Sequence, residues 1–168
     1  MRSDVTLQVL DQPLLQQLLR AAVEDADPEE VMPPVTGPAG WTSERKAAFL
    51  RFHRSRALAA RPVETTFAVV VGARVVGAAR LCPVKDADRA VEAGVWIGRS
   101  HRGAGVGGAV LGHLLDRARA DGSAKLLIST TPDNEPVLRL IARLGADLVH
   151  DGDTVTARVD LEVPGSAE

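Results

Sequence analysis

Residues Arg102-Gly103-Ala104-Gly105-Val106-Gly107-Gly108 constrain this chain more than any other stretch, because they join an apolar strand-like run, Val91 to Ile97, to a segment with helical spacing. A strand that ends in a glycine loop and passes straight into a helix leaves backbone N–H groups unpaired and partially positive, and glycine lets an anion approach without meeting a Cβ. Pyrophosphate suits such a trap. A P-loop is excluded: five positions after Gly103 come Gly108, Ala109 and Val110, with no Lys and no Ser or Thr for a metal. Gly103-x-Gly105-x-x-Gly108 matches a dinucleotide fingerprint by letter, but the strand before it follows an antiparallel-looking pair and does not read as the start of a βαβ unit. The bland alternative is a glycine-rich tight turn that binds nothing.

The rest of the chain frames that loop. Asp4 to Leu10 alternates like an edge strand, and Asp11 then caps a helix with Pro13 in its first turn, running to about Asp25. The span 24–40, rich in Pro, Gly and acid, is expected as an ordered loop or a mobile lid without regular structure. Thr42 or Ser43 caps a second helix to about Ala60, with Ala47, Leu50 or Arg51, Arg54 and Leu58 on its stripe and a basic face from Arg45, Lys46, Arg51, Arg54 and Arg56. Thr65 to Val71 and Arg74 to Leu81 form a hairpin at Gly72-Ala73; Pro83 ends its second strand, and a polar turn, 85–89, follows. The helix after the glycine loop buries Val106, Val110 and Leu114 with Leu111, Leu115 and Ala118, and stops near Asp121-Gly122. Lys125 to Thr130 is a buried strand. Asn134 starts a helix with Pro136 in its first turn and Val137, Leu140, Ile141 and Leu144 inward, ending at Gly145. A closing hairpin, Asp147 to His150 and Thr154 to Val163, turns at Asp151-Gly152-Asp153, and a loose tail runs from Pro164.

Composition narrows the function. With 168 residues, 45% hydrophobic and 25% charged, the chain fits a single domain, 1–168. A net charge of −2 and 3% aromatic residues offer nucleic acid neither a basic surface nor a stacking platform. Cys82 is the sole cysteine, which excludes an internal disulfide and a cysteine-based zinc site and fits a reducing, cytoplasmic setting; no metal is expected. The start, Met-Arg-Ser-Asp-Val-Thr-Leu, carries no apolar signal core, and no apolar run approaches bilayer length, so no membrane partner is expected.

Glu92-Ala-Gly-Val-Trp-Ile-Gly-Arg-Ser-His-Arg102-Gly-Ala-Gly105-Val-Gly107 resembles motif A of the GCN5-related N-acetyltransferase (GNAT) family, [QR]-x-x-G-x-[GA], with Arg102, Gly105 and Gly107 at its fixed positions. Asn134 to Ala146 is similar to that family's N-x-x-A-x-x-L-Y-x-x-x-G-F, and the resemblance runs from about residue 64 to 160. It implies an α/β fold of the α+β type: a central mixed, mostly antiparallel sheet of about seven strands, flanked by about four helices and splayed at the acetyl-CoA site. It also implies an acyltransferase using acetyl-CoA as cosubstrate, with an acetyl group passing to a primary amine on a small molecule; the acidic loop at 25–30 adds the expectation of a cationic, polyamine-like or aminoglycoside-like acceptor. Two alternatives stay open, a peptide N-terminal or lysine acetyltransferase and a non-catalytic acyl-CoA sensor. A homodimer is also left open.

What the resemblance implies for residues follows the parts of coenzyme A. The N–H groups of Arg102, Gly103, Ala104, Gly105, Val106, Gly107 and Gly108 would hold the pyrophosphate. The backbone of Val95, Trp96 and Ile97, splayed from its neighbour by a bulge, would pair with the pantetheine amides and face the thioester oxygen. Glu92, ten positions before Arg102 and in alternation with Gly94 and Trp96, is the leading general base; the other reading is a charged strand end paired with Arg89 or Arg99. His53 and His150 are weaker candidates. Relatives often carry a tyrosine acid where this chain has Ile141, and the sequence contains no tyrosine. Ser129, with Thr130 and Thr131, could donate to the leaving thiolate instead, and solvent could protonate it, since a free thiol has a pKa of about 8.5. Asn134 would bond the pantetheine or sulfur region, cap its helix, or do both. Ala146, at the usual Phe position, bears on packing. Asp25, Asp27, Glu29 and Glu30 crowd one loop and are expected to concentrate a cationic acceptor, unless they are simply solvated.

Overall fold

A computed structural model describes residues 2–85 and 89–161. The strands are β1 (Val5–Val9), β2 (Thr65–Val71), β3 (Arg74–Pro83), β4 (Ala90–Ile97), β5 (Lys125–Thr130), β6 (Asp147–Asp151) and β7 (Thr154–Asp160). The helices are α1 (Gln12–Asp25), α2 (Pro28–Val31), α3 (Ser43–Arg56), α4 (Val106–Ala120) and α5 (Glu135–Arg143), with a 3₁₀ turn at Arg99–His101. The seven strands follow the order β1-β2-β3-β4-β5-β7-β6 in a mostly antiparallel sheet. The chain falls into two compact units, Met1–Arg80 with Val95–Val110 and Leu81–Gly94 with Leu111–Glu168. The middle of the polar turn, 86–88, and the end of the last strand and tail, 162–168, lie outside the described residues.

In the first unit, β1 pairs antiparallel with β2 from Val5↔Val71 to Val9↔Phe67. Asp11 caps α1 as the sequence predicts, its Oδ1 accepting from Leu14 N at 2.8 Å. Leu15 and Leu18 of α1 and Phe49 of α3 have no exposed surface. These side chains anchor a cluster that also takes in Ala22, Val31 and Ala78, with Trp41 and Trp96 packed against it. Deleting a ring from such a site costs about 3–5 kcal/mol, more than a helix cap contributes. Burial, not propensity, therefore decides which face of α3 turns inward.

Two expectations fail here. The inward face of α3 is Arg45, Phe49 and His53, whereas Ala47, Arg51 and Arg54 are exposed, and the helix ends at Arg56, four residues short of Ala60. Arg45 can be buried because its guanidinium donates to the carbonyls of Val35 (2.8 Å), Gly40 (2.9 Å), Gly37 (3.4 Å) and Pro38. It thereby fastens the 35–40 loop. The span 24–40 also contains regular structure: Asp27 N donates to Glu30 Oε1 at 2.9 Å in a capping box that closes α2, the fifth helix where about four were expected.

In the second unit, β4 and β5 pair in parallel, Ala90↔Lys125 to Ala93↔Ile128, so β4-α4-β5 is a crossover after all. What separates it from a dinucleotide fold is the rest of the sheet, which is not parallel. β5 pairs antiparallel with β7 from Lys125↔Asp160 to Thr130↔Val155, and β7 with β6 from Asp147↔Arg158 to Asp151↔Thr154. The closing hairpin thus inserts its second strand beside β5 and leaves β6 at the edge. Leu126, Val155 and Ala157 have no exposed surface, nor does Ile141 of α5. Leu144 is 37% exposed, not inward; it is the C-cap of α5, and the chain turns outward at Gly145 with φ +67°. Among the described residues no helix is long and apolar enough to cross a membrane.

Candidate functional site

The glycine loop, the anion site expected from the sequence, is shaped by its glycines. Gly103 and Gly105 lie at φ +74° and +83°, a region other residues enter only with strain. A Cβ at Gly103 or Gly107 would meet nothing within 4 Å, and one at Gly105 would meet only the Arg2 side chain, at 3.7 Å. The loop face is open. Gly105 O accepts from Ala109 N at 3.2 Å, so the N–H groups of Val106, Gly107 and Gly108 precede the hydrogen-bond ladder of α4 and have no acceptor within the helix. Val106 itself is buried, so this residue contributes backbone only.

The strand before the loop is held by close backbone contact. Gly98 N donates to Val76 O at 2.8 Å, and a Cβ at Gly77 would run into the Trp96 carbonyl. Only glycine fits at 77. Val95 is 42% exposed although β4 is the fourth of seven strands. The β4–β5 register closes at Ala93↔Ile128, while β5 goes on pairing with β7 to Thr130↔Val155. Val95, Trp96 and Ile97 lie outside these β4–β5 pairs. Burial along β4 does not alternate simply: Ala90 and Ala93 are buried and Glu92 is half-buried.

The acidic segment does something the sequence did not suggest. Asp25 accepts from Ser100 N at 3.1 and 3.0 Å and from Ser100 Oγ at 2.7 Å; Arg99 pairs with Asp27 at 3.2 Å, and Arg102 with Glu30 at 2.7 Å. Arg102 Nε donates as well to Ile97 O at 2.8 Å. Burial opposes ionisation of Asp25, but the Ser100 hydroxyl and amide, with His101 and Arg99 nearby, outweigh it and hold the carboxyl below its usual range. Glu30 is likewise held low, first by the Asp27 amide and then by Arg102. Three of the four carboxylates expected to gather a cation are therefore bonded to the turn before the glycine loop. Glu29 instead lines a cavity of about 140 Å³ with Pro28, Met32, Val35 and Arg45. Arg2, which carries no signal in the sequence, pairs with Asp4 at 2.7 Å and donates to Ala104 O at 3.3 Å.

The remaining candidates belong to the second unit. Glu92 stands at Glu92↔Leu127 in the parallel ladder, and Ser129 Oγ lies 3.3 Å from Thr156 Oγ1. Asn134 caps α5, its Oδ1 accepting from Val137 N at 3.4 Å. Arg99, one of the pairing partners weighed for Glu92, bonds Asp27. The structure thus gathers 95–97 and 102–108 in one unit and Glu92, Ser129 and Asn134 in the other. His53 is buried against Phe49 and Phe52, at ring separations of 4.6 and 5.1 Å, with neither ring nitrogen hydrogen-bonded; burial pulls its pKa down to about 4 despite Glu64. It is a core residue. His150 is exposed on β6, and Ile141, where relatives place a tyrosine, is wholly buried.

The sheet is mixed and mostly antiparallel, and its fourth strand runs through a glycine loop into a helix. Residues 33–146 match the acetyltransferase (GNAT) family, and the chain belongs to that family and is an acyltransferase, with acetyl-CoA use implied. The fold is similar to that of Mycobacterium smegmatis RimJ in complex with CoA-disulfide (TM-score 0.75, 21% identity, 96% of this chain and 85% of that one). It is also similar to yncA from Salmonella typhimurium, solved with its cofactor acetyl-CoA (0.68, 17%, 99% of both chains). A third likeness is to the Vibrio cholerae spermidine/spermine N-acetyltransferase SpeG (0.69, 15%, 95% of both). Comparison with curated proteins finds no match.

Proposed function

We propose that this chain is an acetyl-CoA-dependent N-acetyltransferase acting, as one domain, on a primary amine of a small molecule. The observation that carries the reading is Val95: a valine of the fourth of seven strands, 42% exposed and leading into a loop where a Cβ at Gly103 or Gly107 would meet nothing within 4 Å. Backbone N–H groups from Gly103 to Gly108 would hold the pyrophosphate, and the strand edge at Val95, Trp96 and Ile97 would take the pantetheine amides. Acetyl-CoA supplies a thioester, whose carbonyl carbon the amine attacks as its carbon–sulfur bond breaks. In this reading a β4 amide stabilises the developing oxyanion, and Glu92 takes the proton that the amine loses. Ser129 or solvent returns a proton to the thiolate, and Asn134 orients the pantetheine end. Ile141 cannot serve, being apolar and buried.

A cationic acceptor is the finer part of the proposal. It draws on the fold likeness to a spermidine acetyltransferase and on Glu29, placed in the 140 Å³ cavity described above. We place the enzyme in the cytoplasm on its single cysteine, and a homodimer would use the exposed edge strand β6, where Leu148 and Val149 face solvent. Thiol release from acetyl-CoA, measured across spermidine, an aminoglycoside, amino acids and peptides, tests the reading. Release with the small amines is expected. Release with peptides alone would favour a protein-modifying enzyme, and acetyl-CoA binding with no release across the panel would favour a sensor.

A further inference from the structure

We infer that Asp25 is a positioning residue for the coenzyme-binding loop: from α1 it supplies the N-cap that Gly98 cannot give to the 3₁₀ turn Arg99–His101, and so sets how the chain enters Arg102–Gly108. The inference rests on the reading that this loop binds acetyl-CoA. A helical turn begins with amides that lack a partner, and a cap side chain normally satisfies one of them. The cap position here is Gly98, which has no side chain to give. Both oxygens of Asp25 instead accept from Ser100 N, 75 residues away in sequence, and Oδ1 accepts from Ser100 Oγ.

Gly98 lies at φ −56° and ψ 145°, a conformation open to every residue, so glycine is not needed there for its backbone freedom. It is needed for room. A Cβ at 98 would come within 3.0 Å of Asp25 Cγ and closer still to Oδ2, so the carboxylate occupies the volume a local cap would fill. Ion pairs at Arg99–Asp27 and Arg102–Glu30 flank the cap, but both join half-exposed side chains and contribute little alone. Charge-assisted bonds from one carboxylate to one turn hold more strongly. The acidic segment therefore governs the affinity for acetyl-CoA, and Asp25 acts without touching it.

The pairing of Asp25 with an empty side-chain position makes a reciprocal test. Calorimetry with acetyl-CoA on the full chain should show Asp25→Ala raising Kd about 10-fold, the loss expected for a missing cap, with kcat at saturating acetyl-CoA within about twofold of wild type. Ser100→Ala, which removes only the hydroxyl bond, should raise Kd about threefold. Gly98→Asp combined with Asp25→Gly, which also removes the Asp25 Cβ lying 3.1 Å from a Cβ at 98, restores a cap from the local position and should bring Kd back to within about threefold of wild type. A folded Asp25→Ala chain with unchanged Kd, or with kcat lowered instead, overturns the inference. If that variant fails to fold, the double variant and Ser100→Ala decide by the same criteria. If wild type itself fails to bind acetyl-CoA, the functional reading falls. The cap is then read by hydrogen exchange at the Ser100 amide, which must accelerate in Asp25→Ala; unchanged exchange overturns it.

Discussion

The turn and loop at 97–108 and the β5–α5 region at 125–143 carry different halves of the proposed reaction and are built differently. In the first, residues far apart in sequence are bonded to the loop: Asp25 to Ser100, Glu30 to Arg102, Arg2 to Ala104. In the second, the candidate groups are placed by regular structure, Ser129 by the β5–β7 register and Asn134 by the start of α5. Backbone N–H groups bind an anion only if the chain is held in one shape, so binding calls for bracing from outside. A side chain that hands over a proton needs only a fixed strand or helix beneath it. Loop variants should therefore act steeply on coenzyme affinity, and single side-chain variants in the second region should act on turnover, in graded steps.

The largest effect is expected at Gly105, which combines φ +83° with a place in the proposed pyrophosphate loop. Gly105→Asp adds strain and a repelling carboxylate, and calorimetry should show acetyl-CoA binding weakened by about 10³-fold. Unchanged affinity would place the phosphates elsewhere and remove the contrast at its root. Glu92→Gln should come next, lowering kcat by about 10²-fold with acetyl-CoA affinity nearly unchanged. Turnover equal to wild type would leave Glu92 with a surface role.

Gly77→Ala sharpens the comparison, because its Cβ must displace the Trp96 carbonyl. We expect a loss of about 1–3 kcal/mol in denaturant unfolding and a KM for acetyl-CoA raised several-fold; an unaltered KM would detach β4 from pantetheine binding. Burial of His53 predicts an acid effect independent of the loop. Its pKa falls from 6.5 to about 4 on folding, so the unfolded chain takes up a proton that the native one refuses. Its contribution is unchanged at pH 7, and a loss on the order of 3 kcal/mol accumulates as pH falls from 6.5 towards 4. Urea titrations at pH 7 and 4.5 should show this loss reduced in His53→Leu; equal losses would exclude His53 as the source. The smallest effect is expected from Ser129→Ala, below about threefold in turnover, since solvent can protonate the thiolate. A fall of 10²-fold would make Ser129 the essential acid and show the second region to be as exacting as the first.

Much of this was legible in the sequence because it depends on neighbours within four residues. Asp11, Thr42 and Asn134 cap helices through amides three positions on. The spacing of Val106, Val110 and Leu114 set the buried face of α4, and the glycines set the turns at 72, 103, 105, 145 and 152 with positive φ. The inward face of α3 is not legible in the sequence, because Arg45 is charged and its burial depends on carbonyls at 35–40 that only the folded loop delivers. The insertion of β7 beside β5 was invisible for a related reason. A hairpin's two strands have similar alternation, and only the fold separates them: β7 buries Val155, Ala157 and Val159 on one face, whereas every residue of β6 is exposed. The acidic segment is the plainest case: composition shows four carboxylates close together, but whether they face a ligand or a partner depends on contacts spanning 72 to 75 residues. The sequence by itself determined most of the elements, the glycine loop and the family resemblance, since local sterics and periodicity fix them. Tertiary structure alone decided which charges are neutralised, because a charge has no meaning for function until the fold has chosen its partner.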